Sequence, residues 1–195
     1  MKKILIAVAA SLMISALSLH LSPISYAEAG SSRYQRKEIE VSVPDVVLIN
    51  QNSERVRLRT LLASDKPVLL DFIYCTCTTI CPVLSSGYVN LQNKLGSGSD
   101  RVQLVSVSID PENDTPKAMK EYLKRYQAKP GWDFLTGSRK DIDKVMRAFD
   151  AYIPDKMSHS PLTFIRSGKN GRWVKLNGMT STSELMGEVS RAENF

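Results

Sequence analysis

The sequence has few of the residues that carry out chemistry. Its 195 residues include three cysteines and two histidines, and aromatic residues make up only 7%. Glycine (10) and proline (9) occur at ordinary frequency, without a Gly-X-Y period, and there is no internal repeat or low-complexity tract. Collagen, coiled coil and wholesale disorder are thereby excluded. Long runs of one charge are also missing, the longest being Lys2-Lys3 and the mixed Arg36-Lys37-Glu38. The net charge of +6 is therefore spread over a solvated surface. No basic stripe or nucleic-acid motif appears, so nucleic acid is not an expected partner. What remains, 43% hydrophobic and 24% charged residues, suits one globular domain large enough for a real core.

The first segment stands apart. Met1-Lys2-Lys3 is a short positive start, Ile4 to Leu21 is almost wholly apolar, and Ser25-Tyr26-Ala27-Glu28-Ala29 offers small-x-small cleavage sites after Ala27 and Ala29. This is the three-part pattern of a secretory signal peptide over residues 1–27; the alternative is an uncleaved membrane anchor. Both readings place the rest of the chain outside the cytoplasm. No cysteine lies near the cut, which excludes a lipid anchor on cysteine. Cleavage after Ala27 lowers the net charge from +6 to +4, because Lys2 and Lys3 leave and no acid does. It also removes His20. The remaining chain then holds a single histidine, His159, while all three cysteines cluster at Cys75, Cys77 and Cys81.

Residues 28–42 read as a flexible lead-in to a domain over 43–195. Val46 to Ile49 and Val56 to Leu58, around Asn50-Gln51-Asn52-Ser53, predict an N-terminal hairpin. Pro67 to Tyr74 predicts a buried central strand and Pro82 to Leu95 a helix stopped by Gly96. Arg101 to Ile109 predicts a second buried strand, and a helix from Asp114-Thr115-Pro116 follows. After these come a short strand over residues 132–135 and a helix from Ser138 through Tyr152. Leu162 to Arg166 and Trp173 to Leu176 form a hairpin around Asn170-Gly171, and a last helix spans 182–191. Alternating strands and helices give an α/β fold. A strand running into a cysteine motif that opens a helix, with a late hairpin and a final helix, is the thioredoxin arrangement. The expected architecture is a three-layer sandwich on a central mixed sheet, with an inserted strand and helix.

Cys77-Thr78-Thr79-Ile80-Cys81-Pro82 places a CxxxC pair at the strand-to-helix junction. Free amides and the dipole at a helix start favour thiolate, which is both the soft metal ligand and the nucleophile of disulfide exchange. Spaced by one helical turn, the pair is expected at roughly 5–6 Å between Cβ atoms. That is more open than an effortless disulfide and suited to gripping one ion. A structural disulfide here closes only a tiny loop and staples little. Spacing alone leaves redox and metal chemistry both open. Cys75 shares a strand face with Cys77; it reads as a small buried hydrophobe, with a third metal ligand or an alternative disulfide partner as the other possibilities. His159 stands just before the last hairpin, in a loop that lies against the cysteine motif in a thioredoxin-like fold, and Pro161 stands where that fold commonly has a cis proline. Two thiolates and one imidazole make a trigonal site suited to Cu(I) and also to Cu(II). Zinc wants four ligands, and Cys75 is the candidate fourth. A peroxidase reading of Thr78-x-x-Cys81 fails because Tyr74 stands where that pattern needs proline.

Three stretches together carry a resemblance. Phe72-Ile73-Tyr74-x-x-Cys77-Thr78-Thr79-Ile80-Cys81-Pro82, then Ser106 to Pro116 containing Asp110-Pro111-Glu112-Asn113-Asp114-Thr115-Pro116, then His159 five residues before Phe164-Ile165, resemble the SCO/SenC family of membrane-anchored or periplasmic thioredoxin-like proteins. The resemblance spans about Val43 to the C-terminus. It implies copper held by Cys77, Cys81 and His159. It also implies a metallochaperone role in building the binuclear copper centre of cytochrome c oxidase, with subunit II as recipient. Some members resemble thiol reductases instead, which makes Cys77 and Cys81 a redox-active pair. Asp110, in the matching acidic loop, is expected to border the site without being a ligand. Two departures stand out: Cys75 falls where the family often has threonine or another non-thiol residue, and the family's Asp-His pair is here Ser158-His159. A neighbouring hydroxyl or backbone group must therefore orient the ring.

Overall fold

The computed structural model describes residues 34–194. The signal segment 1–27 and the start of the lead-in lie outside the described residues. Eight strands form one sheet: β1 (Tyr34–Ile39), β2 (Val47–Asn50), β3 (Arg55–Arg57), β4 (Val68–Ile73), β5 (Gln103–Ser108), β6 (Trp132–Thr136), β7 (Leu162–Arg166) and β8 (Trp173–Gly178). Five helices join them: α1 (Leu58–Leu62), α2 (Cys81–Leu95), α3 (Pro116–Arg125), α4 (Arg139–Ala148) and α5 (Thr182–Asn194). Across the sheet the order is β1-β8-β7-β4-β5-β6-β2-β3. β4, β5 and β6 run parallel, while β7 pairs antiparallel with β4. The sheet is thus mixed, as expected.

β4 is the axis of the sheet. All six of its residues are buried, and their alternation divides them between two layers. Phe72 faces one side, where Phe149, Phe164 and Trp173 pack edge-on with centroids 4.9–5.9 Å apart. Such pairs contribute about 0.5–1.5 kcal/mol each beyond their buried area. On the other side Tyr88 of α2 packs on Trp132, and Tyr122 of α3 packs on Phe134 and shares a 2.7 Å hydrogen bond with Ser85 of α2. Helices on both faces complete the three layers.

Two expectations from the sequence are corrected. First, residues 34–39, within the stretch read as a flexible lead-in, form β1, paired antiparallel with β8. Only polar side chains lie between Tyr34 and Ile39, so no apolar alternation marked the strand. It is held from the side: Tyr34 Oη donates to Glu188 Oε1 at 3.0 Å, Arg36 Nε to Oε2 at 3.2 Å, and Arg191 to Oε1 at 2.7 Å. Burial opposes the charge on Glu188, but these donors outweigh it and hold the carboxyl below its usual range. Second, α4 ends at Ala148 and not at Tyr152. Asp150 adopts a left-handed φ of 50°, and the Ala151 amide turns back to Met146 O at 2.8 Å, which closes the helix. No cis peptide occurs among the described residues, so the Ser160–Pro161 bond, whose isomer the sequence leaves open, is trans.

Asp71 is the exception in the core. It is fully buried in β4 on the α2 side, and neither carboxyl oxygen has a hydrogen-bond partner. Burial pushes its carboxyl up to about 7; Ser106, opposite it in register, pulls the other way without reaching bonding distance. The folded state therefore binds a proton that the unfolded chain releases near pH 4, so Asp71 costs stability as the pH rises from about 4 to 7 and the full cost persists above. Asp71→Asn should gain little at pH 4 and on the order of 4 kcal/mol over wild type at pH 8. Urea unfolding of the metal-free protein across that range measures the difference, and a gain independent of pH contradicts the assignment.

Candidate metal centre

The site lies where β4 ends. Tyr74 is still buried, the chain then turns, and the Cys77 amide returns to Tyr74 O at 3.2 Å. Ile80 caps α2 without a side-chain bond, and Cys81 and Pro82 open the helix. Proline is tolerated there because the first helical amides have no partner in any case. The two cysteines do not share a helical turn: Cys77 sits in the loop and only Cys81 on α2. The loop nevertheless brings their sulfurs together.

His159 arrives from far along the chain. A 3₁₀ turn, Lys156–Ser158, is capped by Asp155 Oδ1 accepting from the Met157 amide at 2.9 Å, and His159 ends it. The ring Nδ1 lies 2.8 Å from Lys156 O. A carbonyl only accepts, so Nδ1 carries the proton and Nε2 presents its lone pair. That atom is 3.2 Å from Cys81 Sγ and 4.0 Å from Cys77 Sγ. The three ligand atoms all lie within 4.8 Å of one another, which makes Cys77, Cys81 and His159 a set that can hold a metal ion. All three cysteines are free thiols. A cleft lined by Phe72, Ile109, Met146 and Tyr152 opens beside the imidazole.

The backbone group that orients the ring, expected in place of the Asp-His carboxylate, is the Lys156 carbonyl. Lys156 is itself fixed, since its ammonium donates to Asp110 Oδ2 at 2.5 Å. Asp110 is buried and also accepts from Asn113 Nδ2 at 3.0 and 3.1 Å. It borders the site without entering the ligand set. Asp114, read from sequence as the helix start, does not cap the helix. Thr115 caps α3, accepting from the Ala118 amide at 3.2 Å. The Asp114 carboxylate instead accepts the Cys75 amide at 3.1 Å and the Ser108 hydroxyl at 2.5 Å. One short acidic loop therefore grips both the histidine turn and the cysteine turn. Cys75 is half-buried against the core, and burial, then the charge of Asp114, push its thiol well up. Its sulfur is not in the ligand set, so it supplies no fourth ligand here.

The two site thiols differ sharply. Burial opposes ionisation of Cys77, but hydrogen bonds from Cys81 and Thr79 outweigh it and bring the thiol down to about 7. Burial, then the hydrogen bond to Cys77, push the Cys81 thiol up. Burial lowers His159, keeping the ring neutral and able to donate its lone pair. Tyr74 packs edge-on to His159 at 5.3 Å and donates to Met157 Sδ at 3.4 Å. Burial, then Cys77, push its hydroxyl up to about 12. Tyr74, Asp114 and Lys156 escaped sequence reasoning. Asp114 carried a signal, its place in Asp110-Pro111-Glu112-Asn113-Asp114-Thr115-Pro116, but a helix-start reading absorbed it.

The comparisons agree with this arrangement. The family model described as SCO1/SenC matches residues 36–192, and the chain belongs to that family. The SCO1 protein homolog of Bacillus subtilis is 33% identical over 157 residues, covering 75% of this chain and 80% of the relative. Among solved structures, BsSco, described as a member of the Sco family of cytochrome c oxidase assembly proteins, superposes with a TM-score of 0.68 at 28% identity, covering 82% of this chain and 97% of that one. ScoI of Bradyrhizobium japonicum, solved with copper bound, gives 0.64 at 27% identity, covering 77% and 99%. The fold is thus the thioredoxin-like α/β fold of the Sco proteins.

Because Cys77 ionises near neutrality and its neighbours do not, alkylation should distinguish the three thiols. Iodoacetamide on the metal-free protein should modify Cys77 first, with a rate rising to a midpoint near pH 7. Mass spectrometry of the digested product reads this out. Cys75 or Cys81 reacting as fast as Cys77 at pH 7 contradicts the assignment.

Proposed function

We propose that this protein is an exported copper chaperone. It binds copper through Cys77, Cys81 and His159 and assists assembly of the binuclear copper centre of cytochrome c oxidase, delivering to subunit II. The observation that carries this reading is the convergence of two sulfurs and one imidazole nitrogen within 4.8 Å. Two soft thiolates and a neutral imidazole suit Cu(I) and also accept Cu(II), and three ligands leave a face open for an incoming acceptor. Zinc prefers four ligands, and the described residues supply only three because Cys75 stands outside the set. The family and the copper-bound ScoI relative support the same cargo. Export, to the periplasm or the outer face of the inner membrane, rests on the leader in residues 1–27; no helix of the described residues is long and apolar enough to cross a membrane.

The chain's own part is positional. The Lys156 carbonyl fixes the imidazole tautomer, and Asp110 fixes Lys156, so the cargo meets ligands already aimed. His159→Ala should weaken Cu(I) binding at least about tenfold, and Asp110→Asn should weaken it by about 10–100-fold without changing stoichiometry. Competition against a calibrated Cu(I) chelator measures both. Wild-type affinity in His159→Ala removes the site.

The asymmetry of the thiols favours one second reading, a thiol–disulfide oxidoreductase that reduces the cysteines of copper-accepting proteins. Cys77 thiolate attacks the target disulfide to form a mixed disulfide, and Cys81 then resolves it. The target leaves as a dithiol and the pair is left oxidised. Reduction of a model disulfide in copper-free buffer decides between the two. Turnover matching that of dedicated reductases makes the second reading primary; stoichiometric reaction without turnover leaves the chaperone.

A further inference from the structure

We propose that the Met157 thioether is a transient entry station, which captures Cu(I) at the mouth of the site, passes it inward to Cys77, Cys81 and His159, and takes no part in the loaded site. The inference rests on the copper site proposed above and adds an entry step to it. Among the described residues, the large hydrophobic side chains that stand exposed are Val83, at 50%, and Met157, at 70%. Both flank the site, Val83 two residues after Cys81 and Met157 two before His159. Scattered exposed hydrophobics are ordinary. Met157 differs because its sulfur is held: Tyr74 Oη donates to Sδ at 3.4 Å, and the Tyr74 ring packs edge-on against His159. Met157 also belongs to the 3₁₀ turn whose Lys156 carbonyl aims the imidazole. One capped turn thus carries both the exposed thioether and the inner nitrogen ligand.

The chemistry suits an entry station. A thioether is soft and neutral, so it binds Cu(I) in preference to Cu(II) and loses no proton on binding. One sulfur lone pair accepts from Tyr74, and the other remains for the ion. A single thioether holds copper weakly, so exchange onto two thiolates and an imidazole runs inward. Copper stays Cu(I) throughout and no electron moves; any thiol proton displaced from Cys77 or Cys81 passes to solvent water.

The test is rapid mixing of the full metal-free chain with Cu(I) bicinchoninate under anaerobic conditions, beside the same experiment with aqueous Cu(II). Met157→Leu preserves volume and apolar character. It should slow Cu(I) loading tenfold or more, leave the final stoichiometry and affinity within about twofold of wild type, and leave Cu(II) loading unchanged. Cu(I) loading at the wild-type rate overturns the proposal. Equal slowing of both ions overturns it too, since that marks a structural role for the side chain. Cys77→Ser serves as the control on the underlying site: if it loads copper as wild type does, the copper site itself fails, whatever Met157→Leu shows.

Discussion

Two carboxylates on one short loop hold the turns that carry Cys77, Cys81 and His159 at a common point. Asp110 takes the Lys156 ammonium and Asp114 takes the Cys75 amide, so a single segment ties the histidine turn to the cysteine turn. The histidine follows a single 3₁₀ turn and Cys77 lies in a loop, so neither is positioned by a long element of its own. The loop is in turn anchored to α4, where Arg139 pairs with Glu112 and donates to Ile109 O at 3.1 Å. Placement of an imidazole against two sulfurs thus depends on hydrogen bonds from a third region that supplies no ligand. This is the outer layer of support that metal sites generally need, drawn here largely from backbone groups.

The same economy explains how unequal thiols arise from one motif. Cys77 lies in a loop where Thr79 and Cys81 can donate to it, while Cys81 is completely buried under α2 beside a carboxyl-bearing strand. Asp71 belongs to this setting. Its charge also bears on Cys81, so the unsatisfied acid below the site and the reluctant thiol above it act on each other. A buried acid with no partner is costly. Its position on the central strand, on the same side as α2, places that cost under the chemistry and away from the aromatic layer around Phe149.

Much of this was legible in the residues. Apolar runs such as Val68 to Ile73 and the turn residues Asn170-Gly171 mark elements because burial and backbone geometry restrict composition locally. Cys77, Cys81 and His159 were legible because they are so few, and scarcity made their shared address informative. What escaped depends on long-range partners. β1 has no apolar pattern, and its pairing is decided by β8 and by Glu188, more than 130 residues away. Asp114 and Lys156 look like ordinary surface charges until folding places a backbone amide or another side chain before them. The one-turn spacing expected of the cysteines failed because the helix starts at the second of them, four residues after Cys77, and the first stays in the loop.

The two rims of the sheet have a consequence of their own. β1 and β3 form its outer borders, and both are short and densely charged: Arg36, Lys37 and Glu38 on one, Arg55 and Arg57 on the other. Unpaired amides at a border invite another chain to add a strand, and charge there discourages it. Guarded borders thus keep copies of this chain from joining their sheets, and leave the central strand that leads into the cysteine turn enclosed within one molecule.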